Sequence, residues 1–215
     1  MMSVLAGPIL ACDLALVLAV DVSGSVDSDE FRIQMDGLAE ALRDPLVSEA
    51  LVRAQAQVML VQWTGSSRQQ VTIPWTGIDS FETLERLADD IATDQRVWRN
   101  YSTAIGEALT FSMAQFGNVS QCARHLIDVS GDGKSNEGLA PTEVHAALRA
   151  AGIVVNAIAI EESDPELTAY FYENLIVGEG AFVVSAAGFK DYPEKIRKKL
   201  LREVAMQSAS LNLGR

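Results

Sequence analysis

Asp21, Ser23 and Ser25 stand at alternate positions directly after the apolar run 14–20. Thr103 lies at the start of a helical stretch, and Asp132 follows a second apolar run. Two carboxylates and three hydroxyls are a donor set for a hard divalent cation. Magnesium takes about six oxygens in near-octahedral geometry at roughly 2.1 Å. Two acids barely neutralise a dication, so the ion stays electrophilic and keeps a position for an outside ligand. An Asp or Glu carboxylate from a partner protein suits that position. Mg2+ or Mn2+ fits these oxygens better than Ca2+. The set lacks a general base beside it, so the expected chemistry is binding and not turnover.

These residues need a scaffold that brings distant segments together. The strand 13–21 is apolar throughout between its two terminal aspartates, the pattern of a parallel strand covered on both faces. Phe31, Met35, Leu38 and Leu42 mark a helix over 28–43, with Asp27 and Glu30 as a capping box. Strands are expected at 55–63 and 69–74, joined as an antiparallel hairpin through Gly65-Ser66-Ser67. Helices follow around 81–91 and 103–116, then a strand at 123–129, a helix at 141–151 and a strand at 153–160. A helix at 165–176, a last strand at 181–184 and a helix at 191–207 complete the series. This alternation predicts an α/β fold: a doubly wound, mostly parallel six-stranded sheet with one antiparallel edge strand and helices on both faces. In the strand order 3-2-1-4-5-6, Asp21 and Asp132 end neighbouring strands at the switch point, where such sheets bind ligands. One domain over 12–208 is expected, with residues 1–11 as an N-terminal arm or signal-peptide remnant and 209–215 as a tail.

The pattern Asp21-x-Ser23-x-Ser25, then Thr103, then Asp132-Gly133 resembles the metal-ion-dependent adhesion site (MIDAS) of von Willebrand factor A (vWA) domains. The resemblance covers about 13–205. It implies that Ser23, Ser25 and Thr103 ligate directly, and that Asp21 and Asp132 act partly through water. The vWA consensus has Thr-Asp-Gly at the last motif, where this chain has Ser130-Gly131-Asp132-Gly133. That reads as a loop one residue longer, with Asp128 as a less favoured substitute inside the strand. The segments DLALVLAVDVSGSVD, PWTGIDS, IDVSGDGKSNEG, GAFVVSAAGF and IRKKLLRE resemble an uncharacterised, mainly proteobacterial family of vWA-like proteins whose members are often exported.

Cys12 precedes Asp21 by nine residues and Cys122 precedes Asp132 by ten. If both acids bracket one metal on adjacent strands, both cysteines lie near the opposite sheet edge, within disulfide reach. The odd and even spacings argue against it, because regular strands would then turn the two side chains to opposite faces. A disulfide and two buried thiols both stay open. A disulfide would point to the periplasm or a secreted location, with the cytoplasm as the alternative. Residues 1–11 carry no charge and end in Ile9-Leu10-Ala11, which resembles a signal-peptidase site.

The 215 residues carry a net charge of −12, which disfavours phosphate-backbone contacts and hence nucleic acid. No apolar run reaches the roughly 18 residues of a membrane span; Pro8 and Asp13 interrupt 4–20. Trp98, Tyr101, Asn136 and Glu137 flank the metal candidates and form an expected partner-binding rim, with core capping by Trp98 or Tyr101 and a solvated loop at 136–137 as the alternatives. His125 and His145 lack any triad or zinc partner pattern and read as structural. Lys195, Arg197, Lys198, Lys199 and Arg202 read as the solvated face of the last helix. Asp29 reads as a first-turn helix acid, with an accessory cation site as the alternative.

Three functions compete: a metal-dependent protein-binding module, a hydrolase or phosphatase, and a structural subunit with a non-exchanging site. Gly133-Lys134-Ser135 is half of a phosphate-binding loop whose first glycine position is Asp128. An aspartyl-phosphate mechanism at Asp21 needs a second Asp at Ser23. The binding module is the preferred reading.

Overall fold

The computed structural model describes residues 12–212, with side chains through 204. Segments 1–11 and 213–215, including the expected arm or signal remnant, lie outside the described residues. The chain builds β1 (Leu14–Asp21), α1 (Ser28–Arg43), α2 (Pro45–Arg53), β2 (Gln57–Trp63), β3 (Gln69–Gly77), α3 (Phe81–Thr93) and α4 (Ile105–Gln115). There follow β4 (Arg124–Gly131), α5 (Pro141–Ala150), β5 (Ile153–Ile160), α6 (Leu167–Asn174), β6 (Val183–Ala186) and α7 (Tyr192–Asn212).

The six strands lie in the order β3-β2-β1-β4-β5-β6, with only β3 antiparallel. This is the doubly wound sheet that the alternating pattern predicts. Every residue of β1 is buried, because helices cover both of its faces. Leu14, Leu16, Leu18 and Val20 pack with α1, α2, α3 and α7; Ala15, Val17 and Ala19 pack with α4, α5 and α6. Asp27 caps α1 by accepting from the Asp29 and Glu30 amides, and the Glu30 carboxylate in turn accepts from Asp27 N.

Local differences from the sequence reading have physical reasons. Helix α2 was not anticipated, although Asp44 caps it and Pro45 opens it. Helix α4 starts at Ile105, so Thr103 sits in the loop before it and not on its first turn. Strand β3 runs on through Pro74 to Gly77; as an edge strand it tolerates proline. Strand β4 continues to Gly131, which absorbs the apparent extra loop residue before Asp132.

Cys12 and Cys122 form a disulfide with Cα atoms 4.5 Å apart. The β1–β4 register explains the parity objection. Leu14 pairs with Arg124 and Val20 with Ser130, and carrying this register outward sets Cys12 opposite Cys122. At the other end it sets Asp21 opposite Gly131, so Asp132 lies one residue past the match. The bridge spans 110 residues of chain. Replacing both cysteines by serine is expected to lower the unfolding free energy by about 2–5 kcal/mol with unchanged far-UV circular dichroism, measured by denaturant titration.

Candidate functional site

The site lies at the carboxyl ends of β1 and β4. Asp21 is the last residue of β1 and is fully buried. Its Oδ1 accepts from the Ser23 amide at 2.7 Å, which folds the following loop back over the strand end. The Ser23 and Ser25 hydroxyls lie 3.2 Å apart. Ser25 Oγ donates to Asp132 Oδ1 at 2.7 Å, closing a chain of oxygens from β1 to the loop after β4. Gly131 makes room for this: a Cβ there would lie 3.2 Å from Asp21 Oδ2.

Thr103 is buried beside the same loop, its hydroxyl 3.8 Å from where a Cβ on Gly133 would stand. Two clamps hold it. Thr103 N donates to Asn136 Oδ1 and Asn136 N donates to Thr103 O, both at 2.9 Å. Gly24 N donates to Tyr101 O at 2.7 Å, tying the serine loop to the threonine loop. That approach leaves a side chain at Gly24 tightly crowded, since its Cβ would lie 3.2 Å from Tyr101 O and 3.3 Å from Asn100 Cα. Asn100 itself takes the left-handed conformation, φ 59°. Thus Asp21, Ser23, Ser25, Thr103 and Asp132 converge from three loops.

The electrostatics show what the pocket lacks. Asp21 Oδ2 is buried without a hydrogen-bond partner among the described residues. Burial first, and the neighbouring Asp132 second, push the Asp21 carboxyl up to about 8. Burial also raises Asp132, against the opposing bond from Ser25. Two desolvated acids, one with an orphaned oxygen, and three adjacent hydroxyls fit a divalent cation, which would supply the missing counter-charge.

The rim residues divide. Trp98 is half-buried and packs against the core; it caps the core. Tyr101 stays exposed, with the Arg68 guanidinium 3.7 Å above its ring. Asn136 is the clamp on Thr103. Glu137 accepts from Ser66 Oγ at 2.6 Å, and that hydroxyl holds its carboxyl below the usual range. His125 Nε2 lies 3.3 Å from Val119 O and His145 Nε2 2.9 Å from Asn174 O, both framework contacts. Lys134 pairs with Asp164 at 2.8 Å.

Other supporting residues were not singled out from sequence. Arg96 Nη2 donates to Val22 O and Ser23 O at 3.0 and 2.8 Å, bracing the serine loop. Gln62, buried in β2, donates to Asp94 Oδ2 and Gln95 O and accepts from Val97 N. Gln34 of α1 accepts from Ser130 Oγ and donates to Asp21 O. A glutamine inside an apolar strand or on an apolar helix stripe is the signal that could have marked Gln62 and Gln34. One expectation fails outright. Lys199 is fully buried, because it shares the inward stripe of α7 with Tyr192, Ile196 and Glu203.

The family model described as "Protein of unknown function (DUF1194)" matches residues 11–208. The chain belongs to this family. No curated protein sequence matches it. Solved structures share the fold. Proximal thread matrix protein 1 from the mussel byssus superposes with a TM-score of 0.69 at 17% identity, over 91% of this chain and 47% of that one. The same mussel protein with a zinc-occupied MIDAS motif gives 0.66 at 16% identity, over 89% and 46%. A von Willebrand factor type A structure from Catenulispora acidiphila gives 0.63 at 16% identity, over 89% and 43%. This chain therefore spans under half the length of each of these neighbours, and its fold is of the vWA type.

The raised Asp21 carboxyl predicts the pH response of the metal-free protein. A folded-state pKa of about 8 against an ordinary 3.8 means the native state holds the proton more tightly. Its contribution is fully present below the ordinary value and is lost as pH rises through the interval up to about 8. With chelator present, stability attributable to this group should fall with rising pH across that interval. Asp21→Asn should flatten the dependence, as read by thermal denaturation at several pH values.

Proposed function

We propose that this vWA-type module holds a divalent cation at Asp21, Ser23, Ser25, Thr103 and Asp132 and uses it to capture an acidic group of a partner protein. The observation that carries the reading is the buried Asp21 Oδ2, left without a hydrogen-bond partner among the described residues beside the linked Ser23, Ser25 and Asp132 oxygens. Mg2+ or Mn2+ suits hydroxyl and carboxylate donors, with Ca2+ less favoured. The bound ion supplies an electrophilic position for a carboxylate. Ser25 is exposed, so the cation position is open to exchange, which favours capture over a sealed structural site.

Binding is favoured over hydrolysis by the fate of the phosphate-loop fragment. Lys134 is committed to Asp164, and helix α5 begins only at Pro141. No helix N-terminus therefore follows Gly133-Lys134-Ser135 as a phosphate cradle requires. The disulfide supports a periplasmic or secreted setting. Among the described residues no helix is long and apolar enough to cross a membrane.

Calorimetric titration with Mg2+ and Mn2+ tests the site. Asp21→Asn and Asp132→Asn are each expected to weaken binding at least about tenfold, or roughly 1.4 kcal/mol, while the fold persists. Wild-type protein that takes up neither ion at millimolar concentration would sink the reading. Capture of a partner from the source organism should then be lost on adding EDTA and in both variants.

A further inference from the structure

On the opposite half of the sheet, α7 presses a lysine into the core. Lys199 is 0% exposed, and Asp128 of β4 and Glu203 of α7 are 2% exposed each. Lys199 Nζ donates a hydrogen bond to Glu203 Oε1 and stands in ion-pair contact with Asp128 Oδ1. The two contacts differ in kind. The one to Glu203 has hydrogen-bond geometry, whereas neither oxygen of Asp128 has a hydrogen-bond partner among the described residues. The amine thus aims a proton at Glu203 while resting beside the carboxyl group of Asp128.

We propose that Lys199 and Asp128 condense into an intramolecular amide bond, with Glu203 as the proton-transfer group. Lys199 Nζ gives up two protons in turn through Glu203, and its freed lone pair attacks Cγ of Asp128. The new N–C bond forms, one Cγ–O bond of Asp128 breaks, and the departing oxygen takes both protons and leaves as water. One water leaves, and no oxidant, activator or metal enters the balance.

The surroundings favour each requirement. All three groups are buried, which keeps bulk water away from the contact. Burial, then the nearby Asp128, push Glu203 up to about 7, which suits a group that both accepts and returns a proton. Asn156 Nδ2 donates to Glu203 Oε1 at 2.9 Å and orients it. The Phe182 ring lies 5.7 Å from Lys199 Nζ. Glu203 and Asn156 also line a cavity of about 210 Å³ that reaches His125 and Gly180, which gives the released water a way out.

Intact-mass measurement of the purified full chain, with its disulfide reduced, decides the matter. Wild type is expected to be lighter than its sequence by one water. A tryptic digest should then yield residues 125–134 joined to 199–202, because trypsin does not cut after an acylated lysine. Lys199→Arg keeps the charge, cannot form the bond and should show the full mass. Wild type at full mass would overturn the proposal and leave a plain buried ion pair. Loss of one water with unlinked peptides would overturn it equally, since Asp132-Gly133 can dehydrate to a succinimide of the same mass. Glu203→Gln should leave a large unlinked fraction; complete linkage in that variant would remove Glu203 from the assigned role.

Discussion

The register between β1 and β4 is the constraint on which the rest of the molecule depends. The pairing runs without a slip from Leu14 to Val20 and serves both ends of the domain. At one end it brings Cys12 against Cys122. At the other it puts Asp21 opposite a glycine, so its carboxylate can lie over the end of β4 and face Asp132. A slip by one residue would turn every side chain of β1 to the other face, exchanging the two core surfaces and pointing Asp21 away from the serine loop. Because β1 is buried on both faces between two distinct sets of helices, such a slip is heavily penalised.

Buried charge shapes both faces of this sheet. Asp21 and Asp132 lie beside serine hydroxyls, and one oxygen of Asp21 is left unsatisfied, a state that a cation would relieve. Asp128, Lys199 and Glu203 meet one another around one shared amine. At the second place the cost of desolvating the carboxylates is offset by the shared amine, whereas at the first it is left uncompensated on Asp21. Parallel strands whose runs are nearly all apolar make these few polar residues conspicuous. Gln34, Gln62 and Asn156 each bond between elements and hold a loop or another polar side chain in place.

Much of this arrangement is legible in the chain itself. The apolar runs and the helical periodicities specify the sheet order, since crossover connections admit few alternatives. The meeting of Asp21, Ser23 and Ser25 with Asp132 follows from that order, because residues at the carboxyl ends of adjacent strands must meet; Thr103 is brought in by the Asn136 clamp and the Gly24–Tyr101 bond. Other features resist reading for identifiable reasons. The apparent extra residue at Ser130-Gly131 vanishes only once β4 is seen to extend, a decision made by pairing with β1 and β5. Lys199 reads as solvated because four cationic neighbours surround it in sequence, and only the angular position of α7 turns it inward. Asn136 reads as a rim residue, but its amide is spent on Thr103. Arg96 gives no sequence signal, since its role is to donate to backbone carbonyls.

The disulfide has a consequence for how the domain carries load. Cys12 stands at the entry to β1, so tension arriving from that side passes through the sulfur bridge into β4 as well. The two strands share the pull along their length, with their parallel hydrogen bonds loaded in shear and not peeled one at a time. The candidate site sits at the far end of the same two strands. A pull between Cys12 and the loops that follow β1 and β4 would therefore run straight along the strand axis of the sheet.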